Sequence, residues 1–272
     1  MKLILNIGQF YSGEVIKRPS QYCKTPYVAD VIIENEEYMA HTAALGCCGL
    51  ADKNAKVLMT KVENKKNKCK YKILVSHVFE RDENYLVGID PKMAETIIDN
   101  CLKLDYLTNI SSNNYEREKT FLNSRFDFTG IDSNGKRFIL EVKNVPLADY
   151  VDCTLKEKKG LCFKDRKIND KISYFPDGYR KKKNEPVSER AIKHINELKE
   201  IKIENNYRTI LCFVIQRDDV SSFQPSKIDP FYRKAVQEAV SYGVELMTVV
   251  CKWDINGNLY YVKQDLPINL FD

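Results

Sequence analysis

Two periodicities organise this chain, one of two residues and one of a helical turn. Short apolar-rich stretches at 28–33, 57–62, 70–75 and 85–89 are separated by turn residues and polar runs, and are predicted to be strands. The Asn-Lys-Lys-Asn-Lys run at 64–68 is expected at an exposed tip. About five short strands of this kind suit a small β-barrel, and Lys-rich loops on a barrel suit a nucleic-acid backbone as well as plain solvent. Helical spacing begins at Pro91, after which Met93, Ile97, Ile98, Cys101 and Leu104 fall on one face. Ser188 is a suitable N-cap for a second helix to about residue 200, burying Ile192, Ile195 and Leu198. Pro230 starts a third that runs through Tyr242 and stops at Gly243. Between and after these lie an unbroken apolar run at 209–215, a further strand at 244–250, and an Asn256-Gly257 turn leading into 259–262. The predicted fold class is α/β: a small β-barrel over 1–88, then a mixed-sheet α/β domain over 89–272. A charged insertion at about 148–171 is expected to be a flexible loop or lid, followed by the basic run Arg180-Lys181-Lys182-Lys183.

The stretch 124–143 carries the most chemistry. Ser-Arg-Phe-Asp-Phe, a Ser-Asn-Gly turn and Phe-Ile-Leu-Glu-Val-Lys read as two strands folded on each other. A two-residue Asn134-Gly135 turn would set Asp127 opposite Val142. A three-residue loop with Gly135 left-handed pairs Asp132 with Lys136 and sets Asp127 opposite Glu141. The second register also gathers Phe126, Phe128, Leu140 and Val142 on one buried face, and burial selects it. Two carboxylates then lie within reach of one cation, with Lys143 on the same face. Few oxygen ligands suit Mg²⁺ or Mn²⁺, which keep waters and accept phosphate oxygens. Such a metal activates water, and Lys143 can position it or stabilise developing charge. Without a cation the acidic pair is expected to have raised pKa values. The plainer alternative is a solvated face of an edge hairpin.

Composition narrows the setting. At 272 residues and 31.6 kDa, with 43% hydrophobic and 30% charged residues, the chain is long and apolar enough for one large or two modest globular domains. A net charge of +5 permits nucleic-acid binding. Nine cysteines, an odd number without a Cys-x-x-Cys pair, argue against a disulfide framework or structural zinc, and adjacent Cys47 and Cys48 read as thiols in a reducing compartment. The opening apolar run is too short for a signal peptide, and no later run approaches a membrane span, so a cytoplasmic or other intracellular setting is expected. The Lys, Asn, Ile and Tyr bias is that of an AT-rich genome such as a parasite's or a large virus's, for which the setting would be the host cytoplasm or virion.

Several ordered motifs resemble a known family. Tyr27-Val28-Ala29-Asp30-Val31, Tyr85-Leu86-Val87-Gly88-Ile89 with Pro91, Ser124-Arg125-Phe126-Asp127-Phe128, and Glu141-Val142-Lys143-Asn144-Val145 are followed by Phe175-Pro176-Asp177, Ser188-Glu189-Arg190, Lys193-His194, Phe213 to Asp218, and Ile228-Asp229-Pro230. In this order they resemble the sugar fermentation stimulation proteins (SfsA) of the PD-(D/E)XK nuclease superfamily. The resemblance implies an OB-like barrel joined to a PD-(D/E)XK nuclease-type domain, with DNA as ligand. It also implies a metal site from a first-helix acid, a strand acid and the E-x-K pair. Those positions fall on Glu95, Asp127, Glu141 and Lys143, with Gln216 as a further member; Asp127, Glu141 and Glu95 would be the ligands of Mg²⁺ or Mn²⁺. Arg125, Lys181, Lys182, Lys183, Arg190, His194 and Arg217 are the expected DNA contacts, His194 being a structural helical residue on the plainer reading. Two departures touch the first domain. The family's His-Cys-Pro-Asn-Thr-Gly segment is His41-Thr42-Ala43-Ala44-Leu45-Gly46 here, and Pro26 stands where an Arg usually precedes the Ala-Asp-Val strand. A metal-dependent DNA nuclease is the leading expectation, with a non-catalytic DNA-binding or regulatory protein as its rival. A homodimer is compatible with either, and no membrane partner is expected.

Overall fold

Alternation and helical spacing assemble two large sheets that share a joint, with a small three-stranded sheet beside them. In a computed structural model, residues 1–42, 49–64, 66–112, 114–176 and 185–271 are described. Residues 43–46, Cys47, Cys48, Lys65, Asp177 and Lys181 to Lys183 lie outside them. Along the chain, β1 (Lys2–Asn6) precedes β2 (Tyr11–Lys17), β3 (Val28–Ile33), β4 (Glu36–His41), β5 (Lys56–Lys61), β6 (Tyr71–Glu80) and β7 (Glu83–Gly88). Then come α1 (Pro91–Lys103), β8 (Asn114–Phe121), β9 (Ser124–Ile131), β10 (Arg137–Asn144), β11 (Ala148–Asp149), α2 (Leu155–Lys158) and β12 (Lys171–Phe175). The chain ends with α3 (Glu189–Asn205), β13 (Arg208–Ile215), β14 (Val220–Pro225), α4 (Pro230–Ser241), β15 (Glu245–Trp253) and β16 (Asn258–Gln264).

Six N-terminal strands form one sheet in the order β4-β3-β2-β5-β6-β7 around a core of Val15, Val31, Val57, Met59, Ile73 and Val87. The expected barrel is not formed, because the sheet is not closed. β4 meets β6 over only two residue pairs, Ala40 with Tyr71 and His41 with Lys72. β1 leaves this sheet altogether and pairs antiparallel with β16.

The larger sheet runs β1-β16-β15-β13-β10-β9-β8 and is mixed, with β10, β13 and β15 parallel. Both of its faces are covered, which is why β13 is apolar at every position from Ile210 to Ile215. Ile210, Cys212 and Val214 face α1 and the N-terminal sheet; Leu211, Phe213 and Ile215 face α3 and α4. β10 follows the same alternation: Phe138, Leu140 and Val142 pack toward α1, while Ile139 packs toward α3. Glu141 and Lys143 continue the α3 side, so two charged residues occupy positions that packing would fill with hydrocarbon. Among the described residues no helix is long and apolar enough to cross a membrane.

The charged insertion is an ordered strap rather than a free lid. Thr154 and Glu157 form a capping box on α2, and a 3-10 turn follows at Ile168–Asp170. The guanidinium of Arg81, in the β6–β7 turn, donates to the carbonyls of Phe163 and Arg166. Tyr150 stacks on Phe163 at 5.3 Å and donates its hydroxyl to Glu80 at 2.9 Å. Buried Lys171 completes the anchorage, with its ammonium 2.7 Å from both Glu80 and Asp219.

The two sheets meet where β7 ends. Gly88 N–H donates to the Gln216 carbonyl at 2.9 Å, and Ile89 N–H to Leu74 at 2.9 Å. A Cβ on Gly88 would stand 2.2 Å from Gln216 Oε1. The amide is fixed on both sides, so it cannot step back. Gly88→Ala is therefore expected to lower the unfolding free energy by about 1–3 kcal/mol, read from urea denaturation. An unchanged midpoint would show that this joint is looser than its contacts imply.

Candidate active site

The hairpin over 124–143 adopts the register expected from the three-residue loop. Asp132 N–H donates to Lys136 at 2.9 Å, Gly135 is left-handed at φ 76, and Ile131, Gly130, Thr129 and Phe128 pair with Arg137, Phe138, Ile139 and Leu140. That ladder stops at Phe128 and Leu140. Beyond it, the Val142 N–H is taken by the Asp127 carboxylate at 2.7 Å instead of by a strand carbonyl. Glu118, between the two residues of β8 that pair with Phe126 and Phe128, sits at φ 56, so the pleat is interrupted beside Asp127. The interruption corrects one expectation: Phe126 and Phe128 do not share a face. Phe128 packs with Leu140 on the α1 side, and Phe126 with Ile139 and Ile195 on the α3 side.

Glu141 is the centre of the cluster. It is 3% exposed, and one oxygen, Oε1, is contacted by both Lys143 Nζ and His194 Nδ1. Lys143 Nζ is 3.3 Å from the same imidazole nitrogen. The other oxygen, Oε2, is buried and without a partner among the described residues. The two acids respond in opposite directions. Burial pushes the Asp127 carboxyl up to about 7, with the charges of Glu141 and Glu95 adding to it against the Val142 hydrogen bond and Lys143. Burial also pushes Glu141 up, but Lys143 and His194 more than offset this and hold it below its ordinary value. The expectation of two raised acids is met by Asp127 alone, because Glu141 has Lys143 and His194 as direct partners.

Glu95 projects from α1 and is paired with Arg117 of β8 at 3.3 Å. Arg117 also approaches Asp99 at 3.5 Å and lies over the Phe128 ring at 5.3 Å. Among the described residues, no three His, Cys, Asp or Glu side chains are arranged to hold a metal ion. A donor set of Asp127 and Glu141 nevertheless fits a hard divalent cation that retains waters. Glu141 is buried and Asp127 half-buried, and among the described residues Oε2 of Glu141 has no other partner.

The remaining sequence candidates are distributed differently. Gln216 is fully buried away from the acids, its amide donating to Asn144 Oδ1 at 2.8 Å and accepting from Trp253 Nε1 at 3.0 Å. Arg217 is also buried, bidentate to Asp219 at 2.6 Å and donating to the Pro146 carbonyl at 2.9 Å, so it is not presented to a phosphate. His194 is 4% exposed and belongs to the acid cluster rather than to a surface. Arg125 is exposed and pairs with Glu118 at 3.4 Å; Arg190 is exposed on the first turn of α3. Arg117 escaped the sequence reading because 114–121 is mostly polar, although Tyr115, Arg117 and Phe121 carry a weak period of two.

A family model for the sugar fermentation stimulation protein RE domain matches residues 90–257. A sugar fermentation stimulation protein homolog of Clostridium novyi (strain NT) is 29% identical over 269 residues, 98% of this chain and 99% of the relative. That of Clostridium perfringens (strain 13 / Type A) is 31% identical over 242 residues, 87% and 88% of the two chains. The structure of Pyrococcus furiosus SfsA in complex with Ca²⁺ has the same fold, with a TM-score of 0.76 at 17% identity over 99% of this chain and 100% of that one. The protein belongs to the sugar fermentation stimulation protein family.

The raised Asp127 carboxyl has a consequence for stability. Between about pH 4 and pH 7 the folded protein keeps a proton that the unfolded chain has released, so stability falls as pH rises through that window. Asp127→Asn keeps an acceptor for Val142 N–H and removes the titration. In metal-free buffer the variant is expected to gain on wild type on the order of 4 kcal/mol between pH 4 and pH 8, measured by urea unfolding at both values. Parallel curves for the two proteins would show that Asp127 is not protonated near neutrality.

Proposed function

We propose that this protein is a metal-dependent deoxyribonuclease that hydrolyses phosphodiester bonds with a metal-activated water. The observation that carries the reading is the convergence of Asp127, Glu141 and Lys143, where half-buried Asp127 is pushed up to about 7 and buried Glu141 has an oxygen without a partner among the described residues. The Ca²⁺ complex of the Pyrococcus furiosus relative supports a divalent ion in this family. Asp127 and Glu141 would hold Mg²⁺ or Mn²⁺, with Glu95 joining from α1 on release from Arg117. When bound, the metal supplies the charge that lowers the pKa of water and polarises the phosphodiester. Lys143 would orient that water or stabilise charge on a phosphate oxygen. Asp127 Oδ2, held by Val142 N–H, fixes the direction of its own carboxylate. Arg125 and Arg190, exposed on the β9 and α3 edges, are assigned to the DNA backbone, together with the 181–183 lysines.

The rival reading, a DNA-binding protein without catalysis, draws on the engagement of the Lys143 amine with Glu141 and His194. It calls for salt-dependent DNA affinity with no metal-stimulated product. Purified protein incubated with linear, circular and single-stranded DNA, with and without Mn²⁺, separates the two. Asp127→Ala and Lys143→Ala are each expected to lower Mg²⁺- or Mn²⁺-dependent cleavage at least 100-fold (about 2.7 kcal/mol) while unfolding cooperatively. Equal cutting by wild type and both variants would reject the assignment, and tight binding by uncut complexes would favour the rival.

A further inference from the structure

His194 occupies a position on α3 that packing alone would give to an aliphatic residue. Ala191, Ile195, Leu198 and Ile201 surround it on the buried stripe, and the helix is fixed at its start by Ser188, whose hydroxyl accepts from Ala191 N–H at 3.2 Å. A buried imidazole needs polar partners. Its partners come from β10, where Nδ1 contacts Glu141 Oε1 and stands 3.3 Å from Lys143 Nζ. The Phe126 ring, 5.9 Å away, bounds the imidazole on the β9 side. Two groups from different elements therefore converge on a single oxygen of Glu141. The second oxygen is buried and has no partner among the described residues, which is uncommon for a carboxylate in a folded protein.

We infer that His194 is the positioning residue of this site: with Lys143 it secures Glu141 Oε1 so that Oε2 is presented to a divalent cation. The inference rests on the metal-dependent reading above and deepens it. Glutamate has three side-chain torsions, and a carboxylate held at one oxygen cannot swing away when the cation leaves. The imidazole acts through Glu141, since its Nδ1 is engaged by Glu141 Oε1 and Lys143 Nζ. Partners of this kind orient a ligating group, and losing one usually weakens metal binding about 10- to 100-fold.

The test is calorimetric titration of Mn²⁺ into metal-stripped wild type, His194→Ala, His194→Asn, His194→Gln and Asp127→Ala, with an unfolding temperature for each. His194→Ala is expected to weaken Mn²⁺ binding about 10- to 100-fold. His194→Asn should recover most of the affinity, because its side-chain nitrogen can stand where Nδ1 stands. His194→Gln, whose amide reaches toward the Nε2 place, should not. A residue needed only for packing would rank these variants by unfolding temperature and leave affinity level. Should the alanine variant fail to fold, the Asn and Gln pair carries the comparison. Wild type that binds Mn²⁺ while His194→Ala or His194→Gln binds equally well overturns the positioning role alone. Wild type that takes up no Mn²⁺ overturns the metal-dependent reading and this inference with it.

Discussion

A carboxylate at a core position of a central strand is the constraint on which this structure turns. β10 lies between β9 and β13, and its α3-facing side is closed by Ile139, Phe213 and the apolar stripe of α3. Placing Glu141 there removes its charge from water, and breaking a buried ion pair by removing one partner typically costs about 3–5 kcal/mol. The chain answers with an ammonium from the same strand and an imidazole from α3. Those contacts fix the site on an interior strand of the larger sheet. They also account for only one of the two oxygens, so the arrangement that stabilises Glu141 leaves it chemically unfinished.

The neighbouring acids divide their roles through this asymmetry. Asp127 is half-buried and, among the described residues, its carboxylate accepts from the Val142 backbone N–H, while the charge of Glu141 pushes against its ionisation. Glu141 is held below its ordinary range while Asp127 is pushed up to about 7. Environments that drive paired groups apart in this way are a mark of sites that handle protons or cations. A divalent ion between them would reverse the sign of their mutual effect, favouring ionisation of both.

Local signals in the chain were strong wherever geometry is decided by near neighbours. Gly135, left-handed as the loop length requires, set the hairpin register, and Pro91, Ser188, Pro230 and Gly243 marked helix ends close to where they fall. Failures came from contacts between distant segments. Phe126 turns away from Phe128 because a side chain replaces the ladder at Asp127, an event that period-two reading cannot register. The insertion looked free because its anchors, Arg81, Glu80 and Asp219, lie far off in sequence. Gln216 and Arg217 sit at a strand end, a plausible place to meet phosphate, yet Asn144, Trp253 and Asp219 claim them first. The site was legible as far as Asp127, Glu141 and Lys143, because one hairpin carries all three.

The same strand end that carries the lysine also carries the joint between the sheets. Asn144 follows Lys143 directly, its side chain accepts from Gln216 and donates to the Gly88 carbonyl at 3.4 Å, and Gln216 N–H₂ reaches the Asp90 carbonyl at 3.4 Å. Asp90 in turn caps α1, the helix that bears Glu95, and pairs with Lys72 of β6. The carboxyl ends of β10 and β13 are where ligands gather in sheets of this kind, and here the N-terminal sheet is bolted to that edge rather than to the opposite one. Its strands consequently set the direction from which α1 and Glu95 approach the acid pair. The N-terminal sheet is thereby part of the geometry of the site, through Gly88, Asp90 and Lys72, whether or not its own surface touches nucleic acid.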